Sequence, residues 1–451
     1  MSSQASPQTP AGLFPRGFDR ETDSRWPLRR VDTLVELKYG KSLVEAKRSP
    51  GDIPVYGTNG RCGWHNEGLS EGPGVILGRK GMGHLGVEWS EGDYWVIDTA
   101  YSVDPIEGGL DLKWFYYLIY YIGLDHLKEG TSNPSLQRET FGAQLVPYPP
   151  AAEQCRIAHI LGTLDDKIEL NRRMNRTLEA IARGIFKSWF IDFDPVIDNA
   201  ILHDKPIPKE FAERAAIRRR ILARQDGNEG VASHRDLLPD SFQDSPLGRI
   251  PRGWEVGELN GLLELSRVSI KPQEQPQELF DHYSFPACDA GSPARELGES
   301  IRSSKYVVPP AAVLISKLNP HIPRVWFPNV VEERRSICST EFLVCTPRAG
   351  ISREYLYSLL SSSAFLNGFA QMVTGTTGSH QRVRPTAFTA MHAVKPSLEL
   401  LAAFTHAVKP LFARFAVTTD ESRNLAGARD ALLPRLLSGE LRASRERQES
   451  G

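Results

Sequence analysis

The feature that most constrains this chain is an apolar seam between Glu153 and Trp189. Walked in alternating steps of four and three, it passes through Ile157, Leu161, Leu164, Ile168, Asn171, Asn175, Leu178, Ala182, Ile185 and Trp189. Two consecutive asparagines are its only polar members. This is the a/d pattern by which one helix lies along another. At about 1.5 Å per residue the seam is roughly 50 Å long. One small domain does not cover so long a stripe, so the pattern predicts a partner helix of matching length.

The C-terminal part supplies one. From Leu401 the same walk gives Leu401, Phe404, Val408, Leu411, Phe415, Thr418, Ser422, Leu425, Arg429, Leu432 and Leu436. This seam too is polar at its middle, at Thr418 and Ser422. Pro410 removes a backbone donor and is expected to bend the helix. Pro434 is expected to end it, with Gly439 beyond. The seams alone fit either direction of packing, and each helix packing only on its own domain also stays open. A pseudo-two-fold relation between the halves favours antiparallel packing, with Asn171 and Asn175 against Thr418 and Ser422 as a register device.

A chain of 451 residues needs more than one core. Ahead of the first seam lie strand-like runs, GVILGRK (74–80), LGVEW (85–89) and YWVIDTAYSV (94–103), separated by glycine-rich turns. A helix is expected at 112–122, then a GTSNPSLQRETF loop (130–141) and a strand at LVPYPP (145–150). After Trp254 the order recurs. KYVVPPAAVLISKLNPHIPRVWF (305–327) echoes GVILGRKGMGHLGVEW, and FLVCTP (342–347) echoes YSVDP. EYLYSLLSSSAFLNGF (354–369) echoes the first helix, and VTGTTGSHQRVRPTAF (373–388) echoes the GT loop. Such recurrence marks an internal duplication. The expected boundaries are a disordered tail (1–25), a first α+β domain (26–150) and a first long helix (151–196). There follow a turn-rich linker with a short basic helix (197–250), a second α+β domain (251–396), a second long helix (397–440) and a tail (441–451).

No catalytic set stands out. Gly81 to Gly86 spell GxGxxG, but strand-like sequence follows where a dinucleotide fold needs a helix. Five cysteines form no CxxC pair and read as idle thiols. Asp165 and Asp166 read as a solvated helix face. Arg218 to Arg220 could follow phosphates, meet a partner or face solvent. No apolar run approaches a membrane span. The net charge of −1 decides nothing about nucleic acid, because a basic face can be offset elsewhere. The loops say more. One set holds Arg79, Lys80 and His84, echoed by Lys317, Asn319, His321 and Arg324. The other holds Ser132, Asn133, Gln137 and Arg138, echoed by His380, Gln381, Arg382 and Arg384. Arg, Lys, Asn and Gln pair with base edges, and Ser holds phosphates. Taken singly, each reads more readily as an ordinary polar loop residue.

Three stretches carry a resemblance. PPAAEQCRIAHILGTLDDKIELNRRMNRTLEAIARGIFKSWFIDFDPV, DSFQDSPLGRIPRGWEV and ALLPRLLSGEL resemble the conserved regions of the specificity (S) subunits of type I restriction–modification enzymes. The likeness covers nearly all of the chain past residue 26; the long N-terminal tail and Cys155 depart from the pattern. The resemblance implies two α+β target-recognition domains separated by two long helices packed as an antiparallel coiled coil. It implies a non-catalytic, cytoplasmic subunit without a cofactor of its own, reading an asymmetric bipartite target in double-stranded DNA. The implied partners are two methylation subunits carrying S-adenosylmethionine and the restriction subunits, with no membrane. The alternatives are a self-contained DNA methyltransferase or nuclease, and a purely structural adaptor.

Overall fold

The computed structural model describes residues 25–106, 108–224, 236–374 and 381–443. The chain divides into two compact units, 1–170 with 422–451, and 171–421. Two long helices, Ala151–Phe190 and Leu398–Leu437, each contribute to both.

The first unit is built on a four-stranded antiparallel sheet, in the order Val35–Tyr39, Ala100–Pro105, Gly74–Gly78, Val87–Ser90. Helix Leu112–Ile122 starts where Asp111 caps it, accepting from the Trp114 amide at 2.9 Å. It buries Trp114, Phe115, Leu118 and Ile119 in the same core as the sheet. Each such side chain is worth about 2–3 kcal/mol of burial. Ile157, Ala158 and Leu161 of the first long helix and Leu433, Leu436 and Leu437 of the second complete that core. The chain approaches through Trp26, which lies against Gly439. There φ is +75° and an added Cβ would sit 2.7 Å from the indole.

The second unit repeats the sheet order with Leu263–Ser266, Phe342–Pro347, Val313–Ser316 and Val325–Trp326. It adds a five-stranded sheet over residues 269–338, where the first unit has three strands, Gly60–His65, Ile53–Gly57 and Trp95–Val96. Its core gathers Phe186, Trp189 and Phe190, Trp254 and Tyr355, and Phe404, Val408 and Phe412. Phe186 and Phe404 lie 5.9 Å apart between ring centroids.

Within each unit the two long helices run antiparallel, partners falling in number as the first rises. In the first unit Asp165 accepts from Arg429 at 2.7 Å. In the second, Asn171 donates to Glu421 at 3.0 Å. Asn175 donates to Thr419 at 3.1 Å and accepts from the Thr418 hydroxyl. Asn171 and Thr418 are fully buried. Of the seam, Ile157, Leu161, Ile168, Leu401, Phe404 and Val408 are buried. Leu164, Leu178, Ile185, Leu411, Phe415, Ser422, Leu425 and Leu432 are half-buried.

Several expectations are corrected. Asp165 is no solvated face: besides Arg429 it accepts from the Tyr117 hydroxyl at 2.7 Å. Asn171 takes Glu421 where Ser422 was expected, because a long carboxylate reaches the seam from its flank. Pro434 does not end the second long helix, which runs to Leu437. The 354–369 helix is two, Arg353–Leu360 and Ser363–Gln371, since Ser362 caps the second by accepting from the Phe365 amide. The linker expected at 197–250 has its short basic helix, at Ala212–Leu222, but its other described residues are more folded than expected. Helices Asp194–Leu202 and Ala212–Leu222 are clasped by Arg214 on Asp194 at 2.6 Å and Arg218 on Asp198 at 2.7 Å. Arg218 therefore tracks no phosphate. A hairpin, Phe242–Ser245 with Gly248–Pro251, follows and puts Ile250 into the core. One window of Leu398–Leu437 reaches a mean hydropathy of 1.3, enough by length and composition for a membrane span. Its Leu401, Phe404, Val408 and Phe412 instead fill the core of the second unit.

Candidate nucleic-acid interface

In the first unit the two polar loop sets meet. Strand Gly74–Gly78 runs out into Arg79-Lys80-Gly81, and these residues pair with 134–136. The Leu136 amide donates to the Arg79 carbonyl at 2.8 Å, and the Gly81 amide to the Pro134 carbonyl at 3.0 Å. Gly81 adopts φ +141°, a conformation that strains any residue with a Cβ. Lys80 forms a bridge with Ser135. Segments more than fifty residues apart thus form one rim.

The rim is stiffened by aromatic and acidic groups. Arg79 and Arg138 both lie against Tyr39, and Arg79 also donates to the Asp98 carbonyl at 3.0 Å. Tyr39 packs on Tyr101 with ring centroids 5.2 Å apart. Burial first, and then the hydrogen bond with Tyr39, push the Tyr101 hydroxyl up to about 12. It stays protonated and donates to the Leu136 carbonyl at 3.1 Å. Beyond Gly81, the loop is tied to Asp125, which accepts from the Leu85 amide at 3.0 Å and pairs with His84 and with Lys128 at 3.0 Å. Burial works to raise the Asp125 carboxyl, but Lys128 and His84 outweigh it and hold it below its usual range. Gln137 donates to Ser135 at 2.8 Å, and Ser132 and Asn133 are exposed.

The second unit repeats the pairing. The Val383 amide donates to the Lys317 carbonyl at 3.0 Å, the Asn319 amide to Gln381 at 2.9 Å, and Leu318 bridges Arg382. Asn319, at φ +49°, stands where Gly81 does, and asparagine tolerates that left-handed region better than most residues. The chemistry differs. Arg382 is held by Glu341 through two contacts of 3.0 Å, and Arg324 by Asp289 at 2.7 and 2.9 Å. His321 and Arg384 are exposed and Lys317 half-buried. His380 lies outside the described residues. Both rims can therefore donate hydrogen bonds to a polyanion, but the second offers Arg324 and Arg382 only in competition with carboxylates.

The loop residues were legible as polar loops in the sequence; Tyr39 and Tyr101 were not. The available signal was that Tyr39 closes a strand, VELKY, whose antiparallel partner brings Tyr101 opposite it. Recognising it required the register.

Residues 23–180 match the family described as "Type I restriction modification DNA specificity domain". The chain is similar to the "Type I restriction enzyme HindI specificity subunit" of Haemophilus influenzae, 25% identical over 77% of this chain and 82% of that one. It is also similar to the "Type I restriction enzyme MjaIX specificity subunit" of Methanocaldococcus jannaschii, 24% identical over 74% and 70% of the two chains. Among solved structures, a type I restriction–modification S subunit from M. genitalium has the same fold. The TM-score is 0.53 at 13% identity, over 94% of this chain and 99% of that one.

Proposed function

We propose that this chain, which belongs to the type I restriction–modification specificity-subunit family, reads an asymmetric bipartite DNA sequence and performs no chemistry itself. One observation carries the reading. The same two-loop rim is built twice, by the pairing of 79–81 with 134–136 and of 317–319 with 381–383, with different side chains on each. Two equivalent surfaces of unlike chemistry suit two unlike half-sites. The polar layer of Asn171, Asn175, Thr418 and Glu421, with Asn171 and Thr418 fully buried, supports a fixed register between the long helices, which suits a fixed spacer between the half-sites.

Specificity subunits of type I systems work in a complex with DNA and other subunits. For this chain we assign two methylation subunits carrying S-adenosylmethionine docked on the helix pair, restriction subunits joining that core, and the cytoplasm as the place of work. Neither the self-contained methyltransferase or nuclease nor the structural adaptor finds support among the relatives. The test is to reconstitute the full chain with its methylation subunits and select from a random duplex library. A bipartite motif with a fixed gap is expected; recovery of unselected sequence would sink the reading.

A further inference from the structure

The first rim carries a device that the second lacks. Tyr39 ends its strand with half its surface exposed, and two guanidinium groups lie on its ring. Arg138 Cζ stands 3.8 Å from the ring centroid and Arg79 Cζ 4.5 Å. Among the described residues neither arginine has a carboxylate within ion-pair distance. Arg79 has one nitrogen engaged on the Asp98 carbonyl. The Arg138 Nε is buried without a hydrogen-bond partner, so its remaining donors are those of the Nη1–Nη2 edge.

The second unit cannot build this stack. Leu136 and Val383 occupy equivalent places, which puts Pro385 where the first unit has Arg138. Tyr39 opposes Tyr101, whereas Ser266 opposes Val344, so the next pair would be Arg267 and Leu343. Neither residue is aromatic.

A guanidinium held over a ring at 3.8 Å is restricted in position, and its Nη1–Nη2 edge presents two parallel N–H groups. That geometry matches the O6 and N7 acceptors of guanine in the major groove. The same fork also fits a phosphate, but a phosphate accepts a lysine's point charge as well and carries no base preference. A planar cation with no ion-pair partner among the described residues, held over a ring on this rim, can take a guanine edge, and only that contact carries a base preference.

We propose that Arg138, positioned by Tyr39 and seconded by Arg79, reads a guanine in the half-site of the first unit. This rests on the recognition reading above. The test uses the reconstituted complex of the full chain with its methylation subunits, and random-library selection on wild type, Arg138→Ala, Arg138→Lys, Tyr39→Phe and Tyr39→Ala. Both Arg138 variants are expected to lose preference for guanine at one position of one half-site by about 10- to 100-fold. Tyr39→Ala follows them, and Tyr39→Phe, which keeps the ring, retains the preference. The other half-site stays unchanged in every variant and shows that the protein is folded. Should Arg138→Ala fail to assemble, Arg138→Lys decides. Wild-type preference in Arg138→Lys, or loss spread evenly over all sequences, would assign Arg138 to a phosphate and overturn the proposal. A wild-type complex that selects no bipartite motif would overturn the recognition reading and this assignment with it.

Discussion

Asp165 is where the first unit is joined to both long helices, and removing its side chain tests that junction. It accepts from Tyr117 on helix Leu112–Ile122 and from Arg429 on the second long helix, each at 2.7 Å. In Asp165→Ala the Tyr117 hydroxyl, on a residue only 2% exposed, loses its acceptor. A buried donor left unmade costs about 1–3 kcal/mol. The ion pair adds less, because the Arg429 and Asp165 side chains are 18% and 28% exposed and Arg429 keeps Asp430 at 2.8 Å. After solvent screening about 1 kcal/mol is reasonable. The sum, about 2–4 kcal/mol, corresponds to amide exchange faster by roughly 30- to 1,000-fold where local opening governs exchange. Asp165→Asn keeps an acceptor for Tyr117 and loses the charge, so it should show only the smaller part. Hydrogen exchange followed by mass spectrometry, on peptides covering 112–122 and 151–170, reads both. Rates within a factor of about three of wild type in Asp165→Ala would refute the junction. So would acceleration confined to residues of the second unit.

Other expectations follow from the same contacts. Arg218→Ala removes the bidentate partner of the Asp198 carboxylate, 2% exposed, and should destabilise the second unit by up to about 3–5 kcal/mol, measured by urea unfolding with tryptophan fluorescence. Burial raises the Asp194 carboxyl, but Arg214 and Ser188 outweigh it and hold it below the ordinary value of 3.8. A depressed folded value contributes stability that is present above pH ~4 and is lost as pH falls through the folded value. Arg214→Ala should thus move acid unfolding of the second unit to higher pH, and an unchanged acid midpoint would contradict this. A seven-residue insertion at the middle of both long helices keeps the seam in phase and adds about 10 Å. At about 3.4 Å per base pair it should lengthen the spacer of the selected motif by roughly three base pairs with the same half-site bases.

How much of this was legible in the sequence depended on the range of the signal. The long helices were readable because a four-three seam repeats over many turns; the first ends at Phe190, short of the expected 196, and the second runs past Pro434 to Leu437. The helix at 112–122 was likewise strongly apolar and bounded by Asp111 and Gly123. Partners across the seam were less readable: Glu421 displaces Ser422 because reach, which the period does not encode, decides who meets Asn171. The clasp of Arg214 and Arg218 on Asp194 and Asp198 was hidden because turn-rich composition resembles a linker, whereas two bidentate pairs hold these helices together. The five-stranded sheet of the second unit escaped because its strands are two to five residues long, too short for alternation to show. At the rims, loop composition pointed to the right segments. What separates Arg138, stacked on Tyr39, from Arg382, held by Glu341, is the cross-strand register and the neighbouring acid.

The central claim is that each unit reads its own half of the target. Replacing residues 26–150 with the corresponding segment of the Haemophilus influenzae relative, then mapping the methylated motif of the reconstituted complex, tests it most directly. The account predicts that one half-site changes while the other half-site and the spacer length are retained. A motif changed in both halves, or in neither, would contradict it.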